Sequence, residues 1–256
     1  MNAIEARNIR FSYNASEVIK NVSLAVAQGE FVGIIGPNGA GKSTMLRILC
    51  GILRPKLGAT FIFGNNITSF NPKNLAQQIG FVPQETHFSL NYMVEDIVLM
   101  GRYPYLHAFQ KEGKKDFEAM ERALQSAEVF EFKNRTINSL SSGERQGVVI
   151  ARALAQEPKI LILDEPTSHL DLHHQFTIME LLKKLNGQGL SIIIVNHDLN
   201  LASLYCQRLV LMHYGEIYSQ GTPQLIIDEK ILKAVYGTEV KIISHPNKKI
   251  PQVLLG

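Results

Sequence analysis

The chain has 256 residues, of which 45% are hydrophobic and 19% are charged. This composition supports a sizeable buried core and excludes a wholly disordered chain, while ordinary glycine and proline contents exclude collagen-like and low-complexity classes. The formal net charge is only +3, whereas nucleic-acid binders usually carry a larger and clustered positive charge. The densest basic segments, 111–115 and 248–249, are predicted to be solvated surface.

Two cysteines, Cys50 and Cys206, are too few for a disulfide framework or a zinc cluster. Both lie among apolar residues, so buried free thiols in a reducing cytosol are predicted. The first ten residues lack the basic-then-apolar pattern of a secretory signal, and no apolar run approaches the roughly 20 residues that span a bilayer. The sequence therefore predicts a soluble chain whose membrane role, if any, depends on a partner.

Strand patterns of two kinds occur along the chain. Alternating patterns in 4–27 and 59–63 predict a small antiparallel sheet near the N-terminus. Three continuous apolar runs, 31–35, 160–163 and 192–195, are typical of strands buried on both faces of a parallel sheet. Buried strands that alternate with helices predict an α/β sandwich.

Helical patterns separate these strands. Helices are predicted over 44–50 and 175–185. Between about Glu85 and Glu157 the pattern becomes helical, which predicts a helical insertion between the first and second buried strands. The segment after Val240 has no clear pattern.

A glycine-rich loop follows the first buried strand and matches the phosphate-loop pattern G-x-x-x-x-G-K-[ST]. Glycines let backbone N–H groups turn inward around a β-phosphate, and the following helix directs its positive end at the same anion. Lys42 is predicted to reach the β- and γ-phosphates, and the Ser43 hydroxyl to ligate Mg²⁺. The alternative is an ordinary glycine-rich turn. The predicted phosphate-binding residues are Gly36, Pro37, Asn38, Gly39, Ala40, Gly41, Lys42, Ser43 and Thr44.

The second buried strand ends in two adjacent carboxylates, Asp164 and Glu165. Adjacent acids at the end of a buried strand are costly unless a cation meets them. We therefore expect Asp164 to be a Mg²⁺ partner and Glu165 to polarise the attacking water in nucleotide hydrolysis. The alternative is that the two carboxylates cap the next helix.

The phosphate loop, the Asp164–Glu165 strand end and the segment 140–146 (Leu-Ser-Ser-Gly-Glu-Arg-Gln) together resemble the ATP-binding cassette of ABC transporters. The segment 140–146 resembles that family's signature motif, and the resemblance extends over roughly residues 4–238. It implies an α/β fold with a phosphate-loop nucleotide-hydrolase core, a small N-terminal antiparallel β subdomain and a helical insertion. It also implies ATP and Mg²⁺ as cofactors, and a homodimer that sandwiches two nucleotides, each phosphate loop facing the other subunit's signature.

The resemblance implies a single ABC ATPase domain over 1–256. Its expected parts are the β subdomain with the nucleotide-binding core, at about 1–84 and 158–240, and a helical subdomain at about 85–157. The remaining residues, 241–256, are expected to form a C-terminal tail.

Four further residues match family positions near the nucleotide. Tyr13 resembles the aromatic residue that stacks on adenine, with Val18 as a supporting contact. Gln84 resembles the glutamine that contacts Mg²⁺ and the attacking water. His197 resembles the switch histidine that hydrogen-bonds the γ-phosphate. Without the resemblance, a tyrosine or a histidine after a strand is usually structural.

The signature departs from the family's usual L-S-G-G-Q or L-S-G-G-E, because Ser142 replaces the first glycine. Ser141 and the backbone of Gly143 are still expected to meet the γ-phosphate at a helix N-terminus, with Glu144 as a common family variant beside them. A Cβ at residue 142 is expected to restrict φ or to narrow the approach of the opposing nucleotide, which would weaken dimer closure. The segment 168–171, which ends in Asp171, resembles the loop that crosses the dimer interface.

Cassettes that act on nucleic acids usually carry a long coiled coil, a second cassette or a bulky basic insertion, and this sequence shows none of these. The resemblance therefore implies the ATP-hydrolysing subunit of an ABC importer with no nucleic-acid partner. It is expected at the cytoplasmic side of the inner membrane, bound peripherally to two permease subunits and indirectly to a periplasmic or surface substrate-binding protein. A nucleic-acid-handling ABC ATPase is the alternative.

The segment 94–106 looks like the permease-facing part of cassettes that serve iron-siderophore, haem and cobalamin importers. Importers of zinc, manganese and molybdate share much of this pattern, so they stay the alternative substrate classes. Tyr103 and Tyr105 are expected to line the cleft that receives a permease helix, with Arg102 at its edge. The alternative for both tyrosines is packing in the core.

Overall fold

The structure is a computed structural model, and it describes residues 1–86 and 88–255. The chain divides into two compact units. The first unit contains Met1–Ile67 and the chain from Ser191 onward, and the second contains Thr68–Leu190. The predicted helical subdomain lies inside the second unit, and its boundary with the nucleotide-binding core stays a prediction.

The strands and α-helices of the described residues have the following bounds. The strands are β1 (Asn2–Tyr13), β2 (Ser16–Ala27), β3 (Phe31–Ile35), β4 (Leu57–Ile62), β5 (Asn65–Asn66), β6 (Ile79–Val82), β7 (Ile160–Asp164), β8 (Ser191–Val195), β9 (Arg208–His213), β10 (Glu216–Gly221), β11 (Val240–Ser244) and β12 (Pro251–Leu255). The α-helices are α1 (Lys42–Leu49), α2 (Pro72–Ala76), α3 (Val94–Leu99), α4 (Lys114–Ser126), α5 (Ser142–Leu154), α6 (Leu172–Gly187), α7 (Leu199–Tyr205), α8 (Pro223–Ile226) and α9 (Glu229–Tyr236).

The first unit begins with an antiparallel sheet of strand order β2-β1-β4-β5. Val22, Leu24 and Val26 of β2 are buried and the residues between them are exposed, which confirms the predicted alternation. In the same unit β3 lies between β8 and β9 and is parallel to both, while β10 pairs antiparallel with β9. The register pairs Ile34 with Val195, so the loops that follow β3 and β8 leave the same edge of the sheet.

The second unit combines one parallel strand pair, β6 and β7, with a group of helices in which α3, α4 and α5 pack together. Every residue of β3, β7 and β8 is buried, as expected of strands covered on both faces. The predicted α/β fold with an N-terminal antiparallel sheet and a helical insertion is confirmed. None of the helices in the described part of the chain is long and apolar enough to span a bilayer.

Two local expectations are confirmed, and one local feature was not expected. Cys50 and Cys206 are buried and form no disulfide among the described residues, as predicted. The basic segments 111–115 and 248–249 are exposed, also as predicted. The C-terminal hairpin of β11 and β12 was not predicted, because β11 is partly exposed and has no continuous apolar run like that of β3. It is held to α7 by Asn200, whose side-chain amide exchanges two hydrogen bonds with the backbone of Val253.

Candidate nucleotide-binding and catalytic site

The loop between β3 and α1 has backbone turns that only glycine tolerates. Gly36 and Gly41 have positive φ angles of 144° and 96°, a region that L-residues with a Cβ rarely adopt. A Cβ built on Gly36 would lie 2.1 Å from the carbonyl oxygen of Met212, and one on Gly41 would lie 2.7 Å from a methyl carbon of Ile19. At both positions neighbouring atoms fill the space that a side chain would need, so the loop conformation requires glycine there.

Lys42 is the first residue of α1 and only 5% exposed. Its Nζ donates hydrogen bonds to the carbonyl oxygens of Gly36 at 2.8 Å and Pro37 at 3.0 Å. The ammonium group is thus held at the loop itself, where an anion would meet both its charge and the positive end of α1. The other predicted loop residues are placed as follows: Ser43 and Thr44 half-buried in the first turn of α1, Ala40 buried, and Asn38 and Gly39 exposed at the loop tip.

Three more predicted residues lie in this first unit. Tyr13 ends β1 with 44% of its surface exposed, and its ring meets the ring of Phe11 edge-on at 4.8 Å. The carbonyl oxygen of Val18 lies 3.0 Å from the position of a Cβ on Gly41, so Val18 adjoins the loop. His197 is exposed in the loop that follows β8, at the same sheet edge as the phosphate loop.

Asn196, next to His197, was not singled out from the sequence. It is 3% exposed, and its Oδ1 accepts a hydrogen bond from the backbone N–H of Asp198 at 3.0 Å. Its Nδ2 has no hydrogen-bond partner among the described residues. A polar residue directly after the continuous apolar run 192–195 is the signal that could have identified it.

The second unit brings Gln84 and Glu165 together, although 81 positions separate them. The Nε2 of Gln84 donates a 2.7 Å hydrogen bond to the carboxylate of Glu165. Glu165 is 8% exposed and has a left-handed φ of 51°, a backbone state that costs a non-glycine residue roughly 1–2 kcal/mol. The N–H and hydroxyl of Ser168 both donate to the Glu165 carbonyl oxygen and support this turn.

Asp164 is 2% exposed at the end of β7. The alternative role for Asp164 and Glu165, a cap on the next helix, is wrong. The N-cap of α6 is Asp171, whose carboxylate accepts the backbone N–H of His174 at 2.9 Å. This hydrogen bond is the main cause that lowers the pKa of the Asp171 carboxyl group.

The signature segment forms the start of α5. Ser141 is the N-cap, and it exchanges hydrogen bonds with Glu144 in a capping box. Ser142 lies in the first helical turn, where an L-residue adopts the required negative φ, so the expected restriction of φ by its Cβ is wrong. Gly143 is buried, and a Cβ on it would lie 1.9 Å from the Cδ2 of His174.

A groove of about 690 Å³ runs along the second unit between α2 and the 3₁₀ segment Met100–Tyr105. Tyr103 is 68% exposed there, and the Lys73 ammonium lies 5.0 Å from the centre of its ring. Tyr105 also lines the groove, but its hydroxyl donates inward to the carbonyl oxygen of Gln156. The two tyrosines therefore belong to the groove rather than to the core.

Arg102 does not lie at the edge of this groove, so that expectation is wrong. It is 5% exposed and forms ion pairs with Asp116 at 3.2 Å and Glu157 at 2.9 Å. Its guanidinium group also stacks 3.8 Å from the centre of the Tyr105 ring and donates to the carbonyl oxygen of Ala155 at the end of α5. A buried charge needs such partners, and they turn the side chain inward.

Known proteins resemble the chain over nearly its whole length. The family model described as ABC transporter matches residues 19–168. An uncharacterized ABC transporter ATP-binding protein, YvrA of Bacillus subtilis (strain 168), is 39% identical over 98% of this chain, which spans 58% of that relative's length. The hemin import ATP-binding protein HmuV of Pseudomonas putida is 35% identical, over 98% of this chain and 99% of its own length. The ferric enterobactin transport ATP-binding protein FepC of Escherichia coli (strain K12) is also 35% identical, over 98% of this chain and 93% of its own length.

Two solved structures add a comparison of shape. One shows an inward-facing conformation of a metal-chelate type ABC transporter, with a TM-score of 0.87 and 29% identity over 99% of this chain and 97% of that one. The other is a dimeric structure of a bacterial ABC transporter cassette, with a TM-score of 0.75 and 33% identity over 86% and 98%. Because the family model covers more than half of the sequence and relatives above 30% identity cover nearly all of it, the chain belongs to the ABC transporter family, as its ATP-binding domain.

Proposed function

We propose that this chain binds and hydrolyses ATP to drive an ABC importer. The observation that carries the proposal is the phosphate loop, in which Gly36 and Gly41 exclude any Cβ and the Lys42 ammonium is held at the loop carbonyls. This cradle fits a polyphosphate chain, because it offers backbone N–H groups, one fixed cation and a helix N-terminus.

The residues present also fit Mg²⁺, which prefers oxygen ligands and is usually bound by one or two carboxylates together with substrate phosphates. The resemblance proposes three side-chain oxygens as its ligands: the Ser43 hydroxyl in the first unit, and the Gln84 amide oxygen and the Asp164 carboxylate in the second. Bound there, Mg²⁺ would neutralise phosphate charge.

Hydrolysis is assigned to Glu165. Its carboxylate accepts a hydrogen bond from Gln84, which helps to hold the carboxylate in one orientation, and a carboxylate held in this way would draw a proton from water. His197, at the edge of the sheet that carries the phosphate loop, is proposed to hydrogen-bond the γ-phosphate. Tyr13 and Val18 are proposed to contact the adenine ring.

The active form is proposed to be a homodimer that sandwiches two nucleotides, as the dimeric cassette structure supports. In that dimer Ser141, Gly143 and Glu144 would face the partner's nucleotide, and Asp171 would cross the interface. The N–H groups at the start of α5, which form the positive end of its helix dipole, would face the γ-phosphate. The capping box keeps the Glu144 carboxylate on the Ser141 backbone, so we propose that Glu144 acts by shaping this turn.

The cargo is proposed to be a metal chelate such as an iron-siderophore, haem or cobalamin. The names of the hemin and ferric enterobactin relatives and of the metal-chelate transporter support this class. The chain would bind two permease subunits peripherally at the cytoplasmic side of the inner membrane, through the groove beside Tyr103 and Lys73, and would serve a substrate-binding protein indirectly.

Two substitutions test the ATPase proposal on the isolated chain. Lys42→Ala should weaken ATP binding sharply in a direct titration, because the fixed cation is lost. Glu165→Gln should keep ATP binding but lower phosphate release by about 10²–10⁴-fold, the usual contribution of a general base, and should accumulate as an ATP-bound dimer. Glu118→Gln, on the exposed face of α4, is the matched control. Phosphate release by Glu165→Gln near the wild-type rate would refute the catalytic assignment.

A further inference from the structure

His174, in the first turn of α6, touches two elements of the second unit that the proposed function assigns to the nucleotide-bound dimer. One is the loop that ends in Asp171, and the other is the start of the signature helix α5. No role was expected for His174 from the sequence. Its side chain is 28% exposed, so most of it is packed inside its own subunit.

The contact with Asp171 is polar. Nδ1 of His174 lies 2.9 Å from both carboxylate oxygens of Asp171, and the backbone N–H of His174 donates to one of the same oxygens. An ionised carboxylate only accepts hydrogen bonds, so Nδ1 of His174 is the donor in this contact. Ring and backbone together fix the direction of the Asp171 side chain.

The contact with α5 is steric. A Cβ on Gly143 would lie 1.9 Å from Cδ2 and 2.3 Å from Cγ of His174, so the imidazole lies directly on the backbone of Gly143. One ring therefore hydrogen-bonds the interface loop through Nδ1 and packs on the signature helix through Cδ2.

The loop that ends in Asp171 is also hydrogen-bonded to Glu165, the residue that follows β7. Ser168 donates twice to the Glu165 carbonyl oxygen, and the Nε2 of Gln175, next to His174, donates to the carbonyl oxygen of Leu170 at 3.1 Å. Short contacts thus run from Glu165 through the loop and His174 to Gly143 inside one subunit.

We propose that His174 is a positioning residue that fixes the spacing between the Asp171 loop and the N-terminus of α5, so that both elements meet the partner cassette in one geometry. This rests on the proposed ATP-sandwich dimer. A misplacement of about 1 Å can cost about 10²-fold in rate, so loss of this spacing affects turnover more than the binding of ATP to the phosphate loop, which lies in the other unit.

The test compares His174→Leu, which keeps apolar bulk but loses the donor, with His174→Asn, whose amide N–H₂ takes the place of Nδ1. His173→Leu is the matched control, because His173 is exposed and meets His174 only edge-on, with ring centres 5.5 Å apart. The measurements are steady-state ATPase activity, ATP affinity at protein concentrations below those of dimerisation, and the ATP-driven dimer fraction of each variant in a Glu165→Gln background.

We expect His174→Leu to lower kcat and the dimer fraction by about 10- to 100-fold, while its ATP affinity stays within about twofold of the wild-type value. The kcat of His174→Asn should be at least about tenfold higher than that of His174→Leu. His173→Leu should resemble wild type. A wild-type kcat for His174→Leu would overturn the proposal, as would a His174→Asn variant that folds but is as slow as, or slower than, His174→Leu. If His174→Leu does not fold, a near-wild-type kcat of His174→Asn supports the proposal and a low one overturns it. An inactive wild-type chain, or an active Glu165→Gln, would instead refute the proposed ATPase function.

Discussion

A single methyl group added at residue 143, at the start of α5, should lower both the free energy of unfolding and the ATPase activity. In Gly143→Ala the new Cβ would lie 1.9 Å from Cδ2 of His174, whereas ordinary contacts begin at 3.4 Å. The start of α5 and the first turn of α6 must therefore separate by about 1.5 Å, and such overpacking typically costs ~1–3 kcal/mol. We expect the free energy of unfolding to fall by that amount, and ATPase activity to fall by about 10²-fold.

Two further variants separate this clash from a general effect of losing a glycine. Gly187→Ala, at the end of α6, is the control, because the Cβ of its alanine would point into open space. In a His174→Gly background the ring is gone, so Gly143→Ala should cost much less unfolding free energy, with a coupling of about 0.5–3 kcal/mol. Urea titrations measure the free energies of unfolding of the wild type, of the single variants Gly143→Ala, Gly187→Ala and His174→Gly, and of the Gly143→Ala/His174→Gly double variant. An equal loss in both backgrounds would refute the reasoning that His174 limits the space at residue 143.

Two predictions concern groups buried away from the nucleotide. Arg102→Met leaves the buried carboxylate of Asp116 without its ion-pair partner, so urea titration should show that the free energy of unfolding falls by about 3–5 kcal/mol. The control Arg122→Met breaks an exposed ion pair and should lower the free energy of unfolding by no more than about 1 kcal/mol. Equal losses in the two variants would contradict this prediction. Burial raises the pKa of the Cys206 thiol, while the unfolded chain releases that proton near pH 8.5, so the free energy of unfolding should fall above about pH 8.5 by up to ~1.4 kcal/mol per pH unit. Cys206→Ala should flatten this part of the pH profile, and an unchanged slope would show that the thiol does not cause it.

Local patterns in the sequence were enough to predict the phosphate loop and the buried strands. A strand such as β3 is covered on both faces and therefore has a continuous apolar run, which is visible without any partner. The glycines of the loop report positive φ angles and close approaches, and both are properties of a few neighbouring residues. The roles of Gln84 and His197, by contrast, came from the resemblance to a family, because neither residue has a local pattern of its own.

Contacts between distant positions decided what the sequence could not. Arg102 was expected at the edge of a groove but is buried, because its ion-pair partners Asp116 and Glu157 are 14 and 55 positions away. The capping of α6 by Asp171 is local. The packing of His174 on Gly143, in contrast, joins residues of two helices that are 31 positions apart in the sequence. Packing of this kind depends on where whole elements lie, and periodicity within one element carries no information about it.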